Sequence, residues 1–131
     1  MSLDRRRIWW IVPAWITFGV DAILTLQGQS SDYWAGHFDE ANEFNPLAHV
    51  LLTINPWLFL GLAILWGVSL GLIVMIWKHR GAEWLAMGIA FVHTIGGCTW
   101  MIRHGIWGWA VTLVYMGLIA EIASVCWSRE R

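Results

Sequence analysis

The sequence predicts an all-α integral membrane protein: a bundle of four transmembrane helices with a short amphipathic interfacial helix between the first and second spans. The 131-residue chain is 58% hydrophobic and only 13% charged, which is too apolar for a protein surrounded by water. Four stretches are long enough to cross a hydrocarbon core of about 30 Å at about 1.5 Å per residue. Twelve tryptophans, many of them near the ends of these stretches, are typical of membrane interfaces.

The predicted spans divide residues 1–131, a single membrane domain, into four helices and one long external connector, 28–55. The links after the second and third spans are so short that these helices must run antiparallel to their neighbours. The apolar run after the three N-terminal arginines is about 20 residues long, which favours a retained span over a secretory signal. The spans cover about 8–27, 56–77, 82–102 and 106–127.

Lysine and arginine residues predict the orientation, because cytoplasmic loops collect them. With four spans, only Arg103 falls on the side opposite to the other basic residues. We therefore expect the protein to lie in the cytoplasmic (inner) membrane with both termini in the cytoplasm. An odd number of spans would scatter the charges over both sides. The cytoplasmic set is Arg5, Arg6, Arg7, Lys78, Arg80, Arg129 and Arg131.

The connector contains a helix signal of its own. Asn45 is a suitable N-cap, and Pro46 suits the first turn of a helix. Phe44, Leu47, Val50 and Leu51 follow at helical spacing and would form one apolar face. We expect this segment to lie as a short helix in the outer membrane interface.

Three ionisable residues fall well inside the predicted spans, away from their ends, where charged groups are costly and therefore suggest function. Asp21 lies about 20 Å and His93 about 16 Å from the cytoplasmic ends of their helices, so the two are expected at nearly one level. Glu121 lies only about 9 Å from the cytoplasmic end and is expected to be a separate, inner group.

Asp21 is expected to belong to a polar face on the first span. Thr25 lies one helical turn beyond it, while His93 shares a face with the small residues Ala90 and Gly97, which leave room beside an imidazole. Such a pair fits either a buried functional site or a structural hydrogen bond that fixes the register of two helices. The sequence leaves both interpretations open.

The connector also offers candidate metal ligands. Carboxylates and imidazoles at this density fit a divalent cation, with Asp21 or His93 completing the ligand set. Their spacing matches no standard helix-borne zinc motif such as H-E-x-x-H, and a solvated acidic surface explains them equally well. His93 alone is a candidate ligand for a chlorophyll-type pigment. The candidate metal set is His37, Asp39, Glu40, Glu43, His49 and His93.

Small residues at four-residue spacing predict close helix contacts, because helices in lipid associate where their backbones can approach. Ala63, Gly67 and Gly71 form such a stripe on the second span. Ala90 and Gly97 mark a similar face on the third. We interpret these residues as packing devices.

Several functions can be excluded or made improbable by what the sequence lacks. A net charge of −1 argues against binding nucleic acid, whose phosphates need a basic surface. The spans contain no lysine for a retinal-type Schiff base and only one histidine at membrane depth, too few for bis-histidine haem. Ser69 lies in the pattern Gly67-Val-Ser69-Leu-Gly71, but this pattern falls inside an apolar predicted span and not at the strand-to-helix turn that a nucleophile elbow requires.

Two short motifs resemble a family of small bacterial and archaeal membrane proteins of unknown function. Asp21-Ala-Ile-Leu-Thr25 matches that family's Asp-x-x-x-Thr helix, and Glu43-Phe-Asn45-Pro46-Leu47 matches its Glu-x-Asn-Pro-Leu connector. The resemblance covers about the first half of the chain. It implies that Asp21, Thr25, Glu43 and Asn45 belong to one polar cluster, but it supplies no activity. The second span has no lysine or arginine in its interior. The sequence therefore departs from any family pattern that requires a cation there.

Two functional hypotheses follow. In the first, the protein is a non-catalytic subunit or an assembly or stabilising factor of a larger membrane complex, next to other membrane subunits or further copies of itself. Its polar cluster (Asp21, Thr25, Glu43, Asn45 and His93) would then be a helix clamp or hold an ion, lipid or pigment. In the second, it is a membrane-embedded enzyme or binding protein, metal-dependent or not, that uses Asp21, Glu43 and His93. We favour the first.

Overall fold

The computed structural model describes residues 7–77 and 79–128 of the chain. Regular structure in these residues is entirely helical, and they contain no strand. Three stretches of the described chain are long and apolar enough to cross a membrane: Ile8–Gln27, Pro56–Ile76 and Gly81–Ser128. The prediction of an all-helical fold built from membrane-type helices is therefore confirmed.

The longest stretch contains two helices. These are α5 (Gly81–Met101) and α6 (Gly105–Ser128), and the 3-10 turn Ile102–His104 separates them. Gly105 follows that turn with a φ of 67°, a conformation that side chains with a Cβ rarely adopt. The chain reverses its direction at this glycine.

Four long helices form the bundle, with the first at its centre. Helix α1 (Ile8–Gln27) contacts α5, α6 and α4 (Pro56–Ile76). Along α1 and α4 the contacts run in opposite order, Trp15 meeting Gly71 and Phe18 meeting Gly67, so the two helices are antiparallel. Helix α5 runs parallel to α1, and α6 runs antiparallel to it.

Aromatic side chains against glycines hold α1 to α4. The Trp15 ring occupies the space where a side chain at Gly71 would lie, and its Nε1 donates a hydrogen bond to the Gly67 carbonyl over 2.9 Å. We call the end of the bundle at which α1 begins the inner end and the opposite end the outer end. At the inner end, a core of Trp10, Ile11, Val74, Ala82 and Ala86 joins three helices. The Trp10 ring stacks on Trp127 with centroids 5.5 Å apart, which places the end of α6 beside the start of α1.

Basic residues lie at both ends of the bundle. Arg7 donates a hydrogen bond to the Trp77 carbonyl, and Arg80 directly precedes α5, so these two arginines share one end. Arg103 lies in the turn at the opposite end. The other basic residues used to predict orientation lie outside the described residues: Arg5, Arg6, Lys78, Arg129 and Arg131.

The connector folds against the outer end of α1 and α4. It contains a short helix α2 (Ser31–Trp34), a 3-10 turn (Phe38–Glu40) and helix α3 (Pro46–Ile54). The Tyr33 side chain is fully buried, and its hydroxyl donates to the Leu52 carbonyl over 3.0 Å. Burial raises the pKa of Tyr33 above its ordinary value. Gln29 exchanges two hydrogen bonds with the Asn42 backbone, which fixes the loop between these elements.

Helix α3 begins as the sequence predicts. The Asn45 side chain accepts hydrogen bonds from the Leu47 and Ala48 amides, and Pro46 lies in the first turn. The apolar face differs from the predicted one in what it contacts. Leu52 packs inward, whereas Phe44, Leu47, Val50 and Ile54 stay exposed at the outer end.

Candidate functional site

Asp21 and His93 lie in direct contact in the outer half of the bundle. The Asp21 Oδ2 and His93 Nδ1 atoms are 2.7 Å apart, and about a fifth of each side chain is exposed. An ionised Asp21 can only accept, so it selects the tautomer in which His93 carries its proton on Nδ1. In that tautomer Nε2 carries the lone pair of the ring. No described residue forms a hydrogen bond with Nε2.

A glycine makes the contact possible. A Cβ built at Gly96 would lie only 2.5 to 2.7 Å from three atoms of the Asp21 carboxyl group. The carboxylate therefore occupies the space that a side chain at this position of α5 would fill. Phe18 contacts the imidazole edge-on, with ring centroids 4.8 Å apart, and so covers one side of the pair.

Tyr115 of α6 lies at the same level of the bundle. This residue was not identified from the sequence. Its ring lies against Gly97, with the hydroxyl oxygen 3.6 Å from where a Cβ there would be. The hydroxyl is buried and lies beside Thr94, Cys98 and Asp21. It therefore adds a third polar group to the level of the Asp21 and His93 pair. A phenol is neutral at ordinary pH, so a search for charged residues in spans passes over it.

Thr25 and the connector form a second polar group, one helical turn further out. Thr25 Oγ1 donates to Glu43 Oε2 over 3.4 Å, a long bond. Glu43 Oε1 accepts the Asn45 amide over 2.7 Å, and Asn45 in turn caps α3. The five residues of the predicted cluster therefore form two bonded groups, Asp21 with His93 and Thr25 with Glu43 and Asn45.

The candidate metal ligands do not assemble. Within residues 7–77 and 79–128, no three His, Cys, Asp or Glu side chains lie close enough together to hold a metal ion. Asp39 and Glu40 are exposed on the 3-10 turn, and His37 precedes that turn. His49 lies on α3 with a buried Nδ1 that no described residue bonds. The described geometry gives no support to a metal site built from the predicted set.

Three of the predicted packing residues, Gly67, Gly71 and Gly97, lie at contacts between helices. Gly67 and Gly71 receive aromatic rings of α1, and Gly97 lies against Val20 as well as Tyr115. Ala90 is 5% exposed. Ala63 is half-buried.

Glu121 differs from Asp21 and His93 in its surroundings. It is exposed on α6 and makes no hydrogen bond or ion pair with any described residue. Gly117, one turn earlier, has nothing within 4 Å of an added Cβ, and Ser124 and Ser128 are exposed on the same face. We call these four residues the α6 polar face.

No family model matches the chain, and no curated protein or solved structure matches it either. The resemblance noted from the two short motifs therefore stays a prediction.

Proposed function

We propose that this protein crosses the cytoplasmic membrane four times and serves as a non-catalytic subunit, or as an assembly or stabilising factor, of a larger membrane complex. Helices α5 and α6 have 21 and 24 residues, each enough for a hydrocarbon core of about 30 Å. With α1 and α4 they give four crossings, both termini on the side of Arg7 and Arg80, and the connector on the other.

The α6 polar face carries the proposal of a subunit. Glu121 lies about 10 Å from the inner end of its helix, within the hydrocarbon. A charged side chain there costs at least ~2.5 kcal/mol on insertion scales, and side chains of this kind usually face another protein segment or a water-filled cavity. Gly117 beside it allows the backbone of a partner helix to approach closely. A partner helix that supplies a hydrogen-bond donor or a cation at this depth would satisfy Glu121.

A different subunit fits this face better than a second copy does. In a twofold pair of identical chains the same patch meets itself, so the two Glu121 carboxylates would come together. Like charges at short range repel, and the described arginines lie at the ends of the bundle rather than at this depth. A cation at this depth must then come from another protein.

Helix α3 fits the outer membrane interface in the same arrangement. Its exposed apolar residues Leu47, Val50 and Ile54 follow helical spacing, with Phe44 directly before the helix. Exposed Trp57 at the start of α4 extends this apolar surface. If α3 lies on the membrane surface, lipid covers these apolar side chains. In water they would remain exposed.

Two tryptophan substitutions at open glycines test the subunit proposal. Gly117→Trp places a ring on the α6 polar face, whereas Gly61→Trp places the same ring in equally open space on α4. After purification in a mild detergent we expect wild type and Gly61→Trp to carry a stoichiometric partner and Gly117→Trp to lose it. A wild-type preparation that is a lone, monodisperse 15.0 kDa species would contradict the proposal.

The contact between Asp21 and His93 favours a second candidate, a membrane-embedded enzyme or binding protein. An imidazole whose Nδ1 is held by a carboxylate presents Nε2 as a base or ligand, and Glu43 lies in the polar group one turn further out. Asp21→Asn and His93→Ala would then remove a bound ion or pigment without affecting insertion. Elemental analysis and absorption spectra that are the same for wild type and both variants would leave the pair with the role of a helix clamp.

A further inference from the structure

An apolar groove of about 630 Å³ opens at the outer end of the bundle between α1, the end of α5 and the start of α6. Its volume falls in the range of about 300–1,000 Å³ that is usual for ligand sites. It is separate from the Asp21 and His93 pair, because its innermost α1 residue, Leu24, lies almost one turn further out. The groove walls are apolar except for Gln27 and His104. They are Leu24, Gln27, Gly28, Trp100, Met101, His104, Trp107, Gly108 and Val111.

The Trp100 wall of the groove is fixed from two sides. Its ring fills the space where a Cβ of Gly28 would lie, so a side chain at position 28 would displace it. On another side the guanidinium carbon of Arg103 lies 3.9 Å from the ring centroid, a cation–π contact. Trp100 is only 7% exposed as a result. The groove therefore has an aromatic wall, the Trp100 ring, that Gly28 and Arg103 hold in place.

Arg103 does not line the groove itself but places a positive charge over the ring of Trp100, which does. Its guanidinium lies between Trp100 and Phe44, 5.4 Å from the Phe44 centroid, while the residue itself is exposed. It forms no hydrogen bond or ion pair with any residue that the structure describes. Guanidinium N–H groups match phosphate oxygens in geometry, and here they are held in place with no protein acceptor. His104, the next residue, lines the groove.

We propose that this groove is a binding site for a glycerophospholipid, with an acyl chain between Trp100 and Trp107 and the phosphate at Arg103 and His104. The groove is apolar inward and cationic at its outer edge, which is the polarity of a lipid in the outer leaflet. Contacts with the chain alone give little preference, because lipid tails elsewhere are equally apolar. Preference must come from the phosphate. The site does not depend on the proposed subunit role.

Acidic residues of the connector limit which headgroup fits. Asp39 and Glu40 are exposed on the same side of the membrane, and Glu43 directly precedes Phe44. These carboxylates repel anions that are not held close to Arg103. A headgroup with a single phosphodiester can bind the guanidinium without placing further negative charge near these carboxylates. A headgroup with several phosphates cannot.

The test titrates purified protein in detergent with two lipids of identical chains, phosphatidylglycerol and diacylglycerol, and follows binding by native mass spectrometry. Because only the first has a phosphodiester, we expect it to bind about tenfold more tightly. Arg103→Gln should abolish the difference, and Arg80→Gln, at the other end of the bundle, should keep it. Equal binding of the two lipids to wild type would overturn the proposal.

A second pair of variants tests the groove itself and does not depend on how Arg103→Gln folds. Val111 lines the groove and is 54% exposed, so Val111→Trp fills the groove from outside the core. Val114 is 63% exposed on the same helix but does not line the groove. We expect Val111→Trp to weaken the binding of phosphatidylglycerol at least tenfold and Val114→Trp to leave it unchanged. Equal binding by both variants would place the lipid elsewhere and overturn the proposal.

Discussion

Gly96→Ala should disrupt the contact between Asp21 and His93 without touching either residue. The added methyl group would lie 2.5 to 2.7 Å from the Asp21 carboxyl atoms, so the carboxylate must move away from the imidazole. Overpacking of this kind costs about 1–3 kcal/mol. The helix propensity of alanine over glycine recovers up to about 1 kcal/mol, and that gain must be measured separately.

Gly88→Ala supplies the matched control. Gly88 lies on the same helix, and nothing is within 4 Å of its added Cβ, so this variant reports the propensity gain alone. We expect Gly96→Ala to be less stable than Gly88→Ala by about 1–3 kcal/mol in free energies of unfolding, measured by titration with SDS in mixed micelles.

The same comparison in an Asp21→Ala background isolates the carboxylate. With the carboxyl group removed, the three atoms nearest to the methyl group at position 96 are gone, and the two alanine variants should agree within about 0.5 kcal/mol. If Gly96→Ala matched Gly88→Ala in the wild-type background as well, the carboxylate would not occupy the space above Gly96, and our reasoning about the pair would be refuted.

Two further predictions concern the connector. Asn45→Ala removes the side chain that caps α3 and should destabilise the protein by about 1 kcal/mol, with faster hydrogen exchange at the Leu47 amide, whereas Asn42→Ala, whose side chain caps nothing, should have little effect. Burial raises the pKa of Tyr33, so the stability it provides is complete below the unfolded pKa of about 10 and is lost as pH rises through the folded value. Unfolding measured from pH 9 upward should therefore show an alkaline loss of stability that is smaller in Tyr33→Phe, and an identical loss in the variant would contradict this reasoning.

Counting residues along straight helices was enough to predict that Asp21 and His93 lie at nearly one level. Each residue advances a helix by a fixed rise, and two helices that run parallel from the same end bring equal depths together. The start of α3 was equally predictable, because an asparagine cap and a following proline act locally. The sequence gives no comparable signal for Gly96, since its role appears only once the facing residue on α1 is known.

The metal hypothesis failed to gain support for a local reason. The number of acidic and histidine side chains in a connector does not show which way each of them points. In the structure Glu43 already accepts hydrogen bonds from Thr25 and from the Asn45 amide. Tyr115 was missed because its polarity comes from a neutral hydroxyl. The groove could not be predicted either, since it depends on how the turn Ile102–His104 places Trp100 and Trp107 around the end of α1.

The number of membrane crossings is the central claim, because the outer site, the groove and the orientation all depend on it. The most direct measurement is labelling of single cysteines by a membrane-impermeant thiol reagent in intact cells, with Cys98 and Cys126 replaced by alanine. We expect Ser31→Cys and His104→Cys to be labelled and His79→Cys to be labelled only after permeabilisation, since all three positions are exposed. Labelling of positions 31 and 104 from opposite sides of the membrane would contradict the four-crossing arrangement.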